Sequence, residues 1–288
     1  MSTLKKKYKH VLSRRAKKYK FKGGNKSSIP IIIYSHSDVF DVLKIQLEYF
    51  SKLFSNTTQD IYLFSNIPYP PDTSTDIKLK YKTILYDDKN PYFTRLLSCI
   101  RQIDSPYFII THESDILLKF DKDIIDKLVN QMKENKIDSI NLQHKNNYKK
   151  LVNQTEDKYN PEIKISETLY ISKMTDDLFT FCVQPRLWKK ESAINLFSAL
   201  PDKIYTSSET HNVQSYVLKN QITYIFHSIN SSKHSNHTTV PEYSFLHITV
   251  AGKFISCKKN DNFEGEAQTE FNNICNKYIK NGKRNQVP

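Results

Sequence analysis

The chain has 288 residues, of which 38% are hydrophobic and 25% charged, with 18 Tyr and 16 Phe distributed along it. This globular composition excludes a peptide-sized scaffold and a chain too polar to fold. The formal charge is +13, but eleven Lys or Arg and no acid fall in residues 1–26, leaving 32 basic against 30 acidic residues over 27–288. A near-neutral body argues against specific nucleic-acid binding, and no apolar run approaches the roughly 20 residues that span a bilayer.

Residues 1–26 read as a basic, flexible arm, either a solvated tail or a peripheral contact with an anionic membrane surface, polyanion or acidic partner. The arm lacks the apolar core of a secretory signal, so a cytoplasmic protein is expected, in the host cytoplasm or virion if viral. Cys99, Cys182, Cys257 and Cys275 form no C-x-x-C pair and are expected as reduced thiols. The sequons at Asn25, Asn56, Asn153, Asn230 and Asn236 would matter only in a secretory lumen. With five glycines in the chain, neither a P-loop nor a G-x-G-x-x-G turn is present.

Past the arm, Ile29 to Ser35 predicts a strand, and Phe40, Leu43, Leu47, Phe50 and Phe54 at helical spacing predict a helix. Asp60 to Ser65 reads as a second strand, 67–75 as a Pro-rich loop and Lys82 to Tyr86 as a third strand closed by Asp87 and Asp88. Asn90 and Pro91 open a helix with the stripe Phe93, Leu96, Leu97, Ile100 and Ile103. Pro106 to Thr111 is an unbroken apolar strand, followed by a helix carrying Ile124, Ile125, Leu128, Val129 and Met132.

This alternation to about residue 142 predicts a mostly parallel sheet covered on both faces, with ligands at the strand C-termini. The remainder is less regular, with a polar loop over 143–166 and short strands near 168–173 and 179–184. Helices near 186–200 and 208–219, a strand at 222–227 and a His- and Ser-rich loop to about 241 complete the reading. One α/β domain over 27–288 is expected, with a nucleotide-binding half at about 27–142, an acceptor half at about 143–255 and a tail to 288.

His112-Glu113-Ser114-Asp115 directly follows the apolar strand. In extended backbone Glu113 and Asp115 face one side, where they suit a hard divalent cation, Mn or Mg; solvated turn acids are the plain alternative.

Tyr92-Phe93-Thr94-Arg95-Leu96 before that strand, the acidic motif after it and Gln184-Pro185-Arg186-Leu187-Trp188-Lys189-Lys190 further on occur in a meaningful order. On these motifs residues 29–255 resemble GT-A-type nucleotide-sugar glycosyltransferases, particularly those of large DNA viruses and bacterial polysaccharide loci. The metal motif departs from that pattern, being Glu-x-Asp where Asp-x-Asp is usual. The resemblance implies a GT-A-like, Rossmann-like single domain that moves a sugar from a nucleotide donor, such as a UDP- or GDP-sugar, to a hydroxyl of a glycan or glycoprotein.

The same resemblance assigns roles. Glu113 and Asp115 hold Mn2+ or Mg2+ with His247, which precedes Gly252-Lys253 in a His...Gly-Lys segment. Arg95 and Lys253 stabilise the leaving diphosphate, while Ser35, His36 and Asn66 at strand ends bind base and ribose. Glu209 is the general base or an acceptor ligand; in Ser207-Ser208-Glu209-Thr210 it also reads as a first-turn acid favourable to the helix dipole. Arg95 reads equally as an exposed helix residue, and Gly252 as an ordinary turn. His227, His234 and His237 compete for the metal role but read as solvated loop histidines. Trp188, the one tryptophan, reads as core at a helix start before it reads as a sugar-stacking platform.

Two rivals stand beside this reading. One is a metal-dependent nuclease or phosphoesterase gripping nucleic acid through the arm; the other is a catalytically silent GT-A-like glycan-binding protein.

Overall fold

A computed structural model of the chain describes residues 28–70, 78–142, 163–166, 169–173, 185–200, 213, 216–217, 219–220, 226–231, 243–250, 253–254 and 265–279. The β-branched run of β1 (Ile31–Tyr34) leads through a 3-10 turn into α1 (Phe40–Phe54), then β2 (Ile61–Ser65) and β3 (Lys82–Leu85). Next come α2 (Tyr92–Ile100), β4 (Tyr107–His112), β5 (Asp115–Phe120), α3 (Lys122–Glu134) and β6 (Ser139–Asn141). The second half contributes β7 (Ile163–Lys164), β8 (Leu169–Lys173), β9 (Arg186–Lys189), α4 (Lys190–Ala199) and β10 (Phe226–Ser231). It closes with β11 (Tyr243–His247), β12 (Thr249–Val250), β13 (Lys253–Phe254) and α5 (Gly265–Ile274), continued by a π-helical turn over Cys275–Ile279.

Nine of these strands form one sheet in the order β3-β2-β1-β4-β9-β6-β10-β8-β7. β3, β2, β1 and β4 are parallel neighbours; β9 runs against both β4 and β6, and β10 runs with β6. β8 runs against both β10 and β7, so seven strands, β3, β2, β1, β4, β6, β10 and β7, share one direction, with β9 and β8 antiparallel to them. The fold is α/β with a mostly parallel sheet, as the alternation of elements predicts.

Strand alternation sorts the core into two faces. Ile31 and Ile33 join Leu43, Leu47 and Phe50 of α1 and Leu128, Val129 and Met132 of α3 on one side. Ile32 and Tyr34 join Phe93, Leu96 and Ile100 of α2 and Leu196 and Phe197 of α4 on the other. Each helix therefore covers the sheet with the stripe read from its sequence. Asp121 caps α3 by accepting the backbone N–H groups of Asp123 and Ile124. Its far end closes with Lys136 at φ 55 and Ile137 N–H donating to Met132 C=O at 3.0 Å, a Schellman turn built without glycine.

Three expectations are corrected. Residues 186–189 are a strand, not the start of a helix, because Leu187 and Trp188 are buried in opposite faces between β4 and β6. Trp188, 1% exposed, packs edge-on to Phe197 in the core. The C-terminal stretch is no mere tail: Phe271, Ile274, Cys275 and Ile279 bury against Val42 and Ile45 of α1 and Leu246 and Ile248 in a third cluster. Cys99 is free and buried as expected, but Cys275 is disulfide-bonded, so the four thiols are not all reduced.

No described helix is long and apolar enough to cross a membrane.

Candidate active site

The C-terminal ends of β1, β2 and β4 lie abreast, with Tyr34 paired in register to both Phe64 and His112. An aromatic floor supports this edge. The Tyr34 ring stacks on Tyr86 at 5.3 Å and meets Tyr92 edge-on at 5.2 Å, with the His112 imidazole also 5.2 Å away. Tyr86 Oη donates to the Ser35 carbonyl at 2.6 Å, fixing the chain as it leaves β1.

Ser35 is 1% exposed, and its Oγ has no hydrogen-bond partner among the described residues. His36 Nδ1 accepts the Asp38 backbone N–H at 3.1 Å, which places its own proton on Nε2, donated to Asp88 Oδ2 at 2.8 Å. Arg95 Nη1 donates to the other oxygen of Asp88 at 3.0 Å, with the guanidinium 5.4 Å from the Tyr86 ring. The hydrogen bond from His36, then the electrostatic pull of the same ring and after it that of Arg95, outweigh burial and hold the Asp88 carboxyl below the usual carboxylate range. Asp88, legible only as a strand-closing acid, thus joins His36 and Arg95 across two loops. Asn66 spends both ends of its amide on Ser37, accepting the backbone N–H at 2.9 Å and donating to Oγ at 3.0 Å. It therefore braces the turn after β1.

The acidic motif is a turn. β4 ends at His112, Glu113 and Ser114 reverse the chain, and Asp115 opens β5. The two carboxylates therefore do not sit on one side of an extended strand, since the period-2 argument fails once the backbone turns between them. β5 instead pairs antiparallel with β11, which puts Asp115 opposite His247 in register. Asp115 is 2% exposed, and its Oδ1 lies 2.8 Å from His247 Nδ1. Ile248 N–H donates to the Ser114 carbonyl at 2.9 Å, holding the turn against the strand that carries the histidine.

The two neighbouring imidazoles are tuned in opposite directions. Burial pushes His112 down to about 4; the charge of His247 acts the same way and Asp115 opposes it, so His112 is neutral at pH 7. Its Nε2 shares a 3.0 Å hydrogen bond with Tyr92 Oη. Burial also pulls on His247, but the Asp115 carboxylate outweighs it, with Glu113 contributing, and His247 stands above the ordinary histidine value.

Lys253 is exposed on β13, in the hairpin that follows His247, while Phe254 beside it turns inward. Glu209, Gly252, His234 and His237 lie outside the described residues. His227 falls within β10, beside Ile140 of β6, and not in a loop.

Asp115 and His247 offer one hard oxygen and one imidazole nitrogen 2.8 Å apart, joined by a hydrogen bond. Such a donor pair fits a divalent cation that takes its other ligands from phosphate and water. Among the described residues no third His, Cys, Asp or Glu completes a protein-only cage.

No protein-family model matches the sequence, and a search of curated proteins finds no match. Among solved structures the chain is similar to an apo UDP-glucose pyrophosphorylase, with TM-score 0.41, 8% identity and coverage of 76% of this chain and 93% of that one. It is similar to HddC from Yersinia pseudotuberculosis at TM-score 0.42 and 10% identity, covering 76% and 93%. A third likeness is to the mannosyltransferase PcManGT from Pyrobaculum calidifontis, solved with GDP-Man and Mn2+, at TM-score 0.39 and 10% identity, covering 69% and 53%. This chain spans only 37% of the length of another similar structure, S. aureus TarS.

Proposed function

We propose that this chain is a GT-A-like glycosyltransferase that moves a sugar from a nucleotide-sugar donor to a hydroxyl of a glycan or glycoprotein. The observation that carries this reading is the Asp115–His247 pair at the C-terminal edge of the parallel strands, where open α/β sheets bind their ligands. The ordered motifs around Arg95, Asp115 and Trp188 support it.

In this reading the acceptor oxygen forms a bond to the anomeric carbon as the bond from that carbon to phosphate breaks. The electron pair leaves with the nucleoside diphosphate, and the acceptor proton passes to Glu209 or to the departing phosphate. Asp115 and His247, with Glu113 nearby, would hold Mn2+ or Mg2+, whose chemistry is to neutralise charge growing on the diphosphate. Arg95 and Lys253 supply positive charge to the same leaving group. Ser35 offers its buried hydroxyl, and His36 and Asp88 their paired polar edges, to the nucleoside.

The test is a thermal-shift panel of UDP-, GDP-, CDP- and dTDP-sugars, each with and without Mn2+, followed by transfer assays on the donor that stabilises. Stabilisation by one donor class that requires the metal supports the proposal. No response to any nucleotide favours the silent glycan-binding reading, and hydrolysis of nucleic acid without sugar transfer favours the nuclease.

A further inference from the structure

Gln46 is the one buried amide in α1, among Leu43, Ile45, Leu47 and Phe50, and its side chain is 0% exposed. A primary amide on the core face of a helix is costly unless its hydrogen bonds are made. Gln46 makes those of its –NH2 group to the acidic turn, while its Oε1 has no partner among the described residues. Its Nε2 donates to the carbonyl of His112 at 3.0 Å and to the carbonyl of Asp115 at 3.0 Å. One –NH2 group therefore bridges the last residue of β4 and the first residue of β5, the two ends of the reversal that carries Glu113. With the Ser114 carbonyl taken by Ile248 N–H, three carbonyls of the turn are tied down, two of them by one side chain.

We infer that Gln46 is a positioning residue for the candidate site, fixing the acidic turn so that the Asp115 carboxylate stays aligned with His247. This rests on the proposed donor-binding function for its catalytic meaning, and on geometry alone for the clasp. The tie has no backbone substitute. The strand ladder between β5 and β11 begins at Asp115, and β4 pairs with β1 only as far as His112, so between those residues the turn is held by Gln46 and Ile248, with a longer 3.3 Å hydrogen bond from Thr111 Oγ1 to the His112 carbonyl. An apolar residue of the same length would fill the space while leaving the buried Asp115 carbonyl without that donor and the His112 carbonyl with the longer Thr111 contact. A displacement of about 1 Å at a site that must hold a charged donor is enough to cost on the order of 100-fold in rate.

The test uses the full chain as wild type, Gln46→Met, and Leu47→Ala as a control that loosens the same helix without touching the turn. Hydrogen exchange followed by mass spectrometry reads the clasp directly. Gln46→Met is expected to speed exchange at least tenfold in peptides covering 112–117 and 244–250, leaving β1 and β2 protected. Leu47→Ala is expected to show no such selectivity. Metal-dependent donor binding, measured below the melting temperature of every variant, reads the function: at least tenfold weaker in Gln46→Met and within threefold of wild type in Leu47→Ala. Unchanged exchange over 112–117 in Gln46→Met overturns the clasp. Selective exchange with donor affinity unchanged overturns its positioning role. Selective exchange in a wild type that binds no donor at all leaves the clasp standing and overturns the proposed function instead.

Discussion

Asp115 Oδ1 and His247 Nδ1 meet at 2.8 Å although 132 residues separate them in the chain. The contact follows from strand pairing, since β5 begins at Asp115 and β11 ends at His247, so antiparallel register places the two opposite each other. A carboxylate and an imidazole brought together in this way are coupled in charge as well as in position.

That coupling predicts the behaviour of Asp115→Asn. The amide keeps the size and a hydrogen bond, so stability should fall by less than about 2 kcal/mol. The His247 imidazole should titrate at lower pH than in the wild type, read by NMR, because the charge that raises it is gone. Metal-dependent sugar transfer should drop at least about 100-fold. Transfer at the wild-type rate would remove Asp115 from the site.

The two histidines predict a stability maximum near the unperturbed histidine pKa. His112 titrates near 4 in the fold, so between about 4 and 6.5 the unfolded chain binds the extra proton, and stability falls as pH falls through that window. His247 is raised, so its contribution is full below about 6.5 and is lost as pH climbs through its folded value. Urea midpoints measured from pH 4 to 8 should show both limbs. His112→Gln should flatten the acid limb alone, and an unchanged acid limb would assign it to other groups.

Trp188 predicts a packing phenotype. Trp188→Ala should cost about 3–5 kcal/mol, as expected for removing a large buried aromatic. Trp188→Phe should cost roughly 1–2 kcal/mol and leave transfer within twofold. A donor- or acceptor-specific loss in Trp188→Phe, without loss of stability, would return the indole to a sugar-binding role.

Lys136 sits at φ 55, where a side chain crowds the backbone. Lys136→Gly should stabilise the protein by about 0.5–1 kcal/mol, visible as a higher urea midpoint with unchanged slope. A lower midpoint would mean that the lysine side chain contributes more there than its backbone strain costs.

The sheet's parallel half was readable because β1, β2 and β4 are short apolar runs separated by helices with clear 3.6-residue stripes. β5 was not, because Asp115–Phe120 follows β4 with no Gly or Pro to mark the reversal. β9 reads as part of the helix that follows it because Leu187 and Trp188 are both buried, and a strand covered on both faces has no alternation to show. Residues 265–279 carry a signal in Phe271, Ile274, Cys275 and Ile279 at helical spacing, diluted by their polar context. For the site, only the family resemblance points to His247, since spacing says nothing about a partner 132 residues distant. Gln46 was detectable in principle, as an amide interrupting the apolar stripe between Leu43, Leu47 and Phe50. What lay beyond sequence was its target, which depends on where the turn after β4 comes to rest.

The pairing of β5 with β11 also sets a schedule for biosynthesis. A ribosome that has released the first half of the chain has delivered β1 to β5 and the acid-bearing reversal, but β11 is still untranslated. Non-local pairings of this length form late. A nascent fragment therefore carries a carboxylate with no imidazole beside it, and chemistry that needs both must wait until residue 247 has emerged.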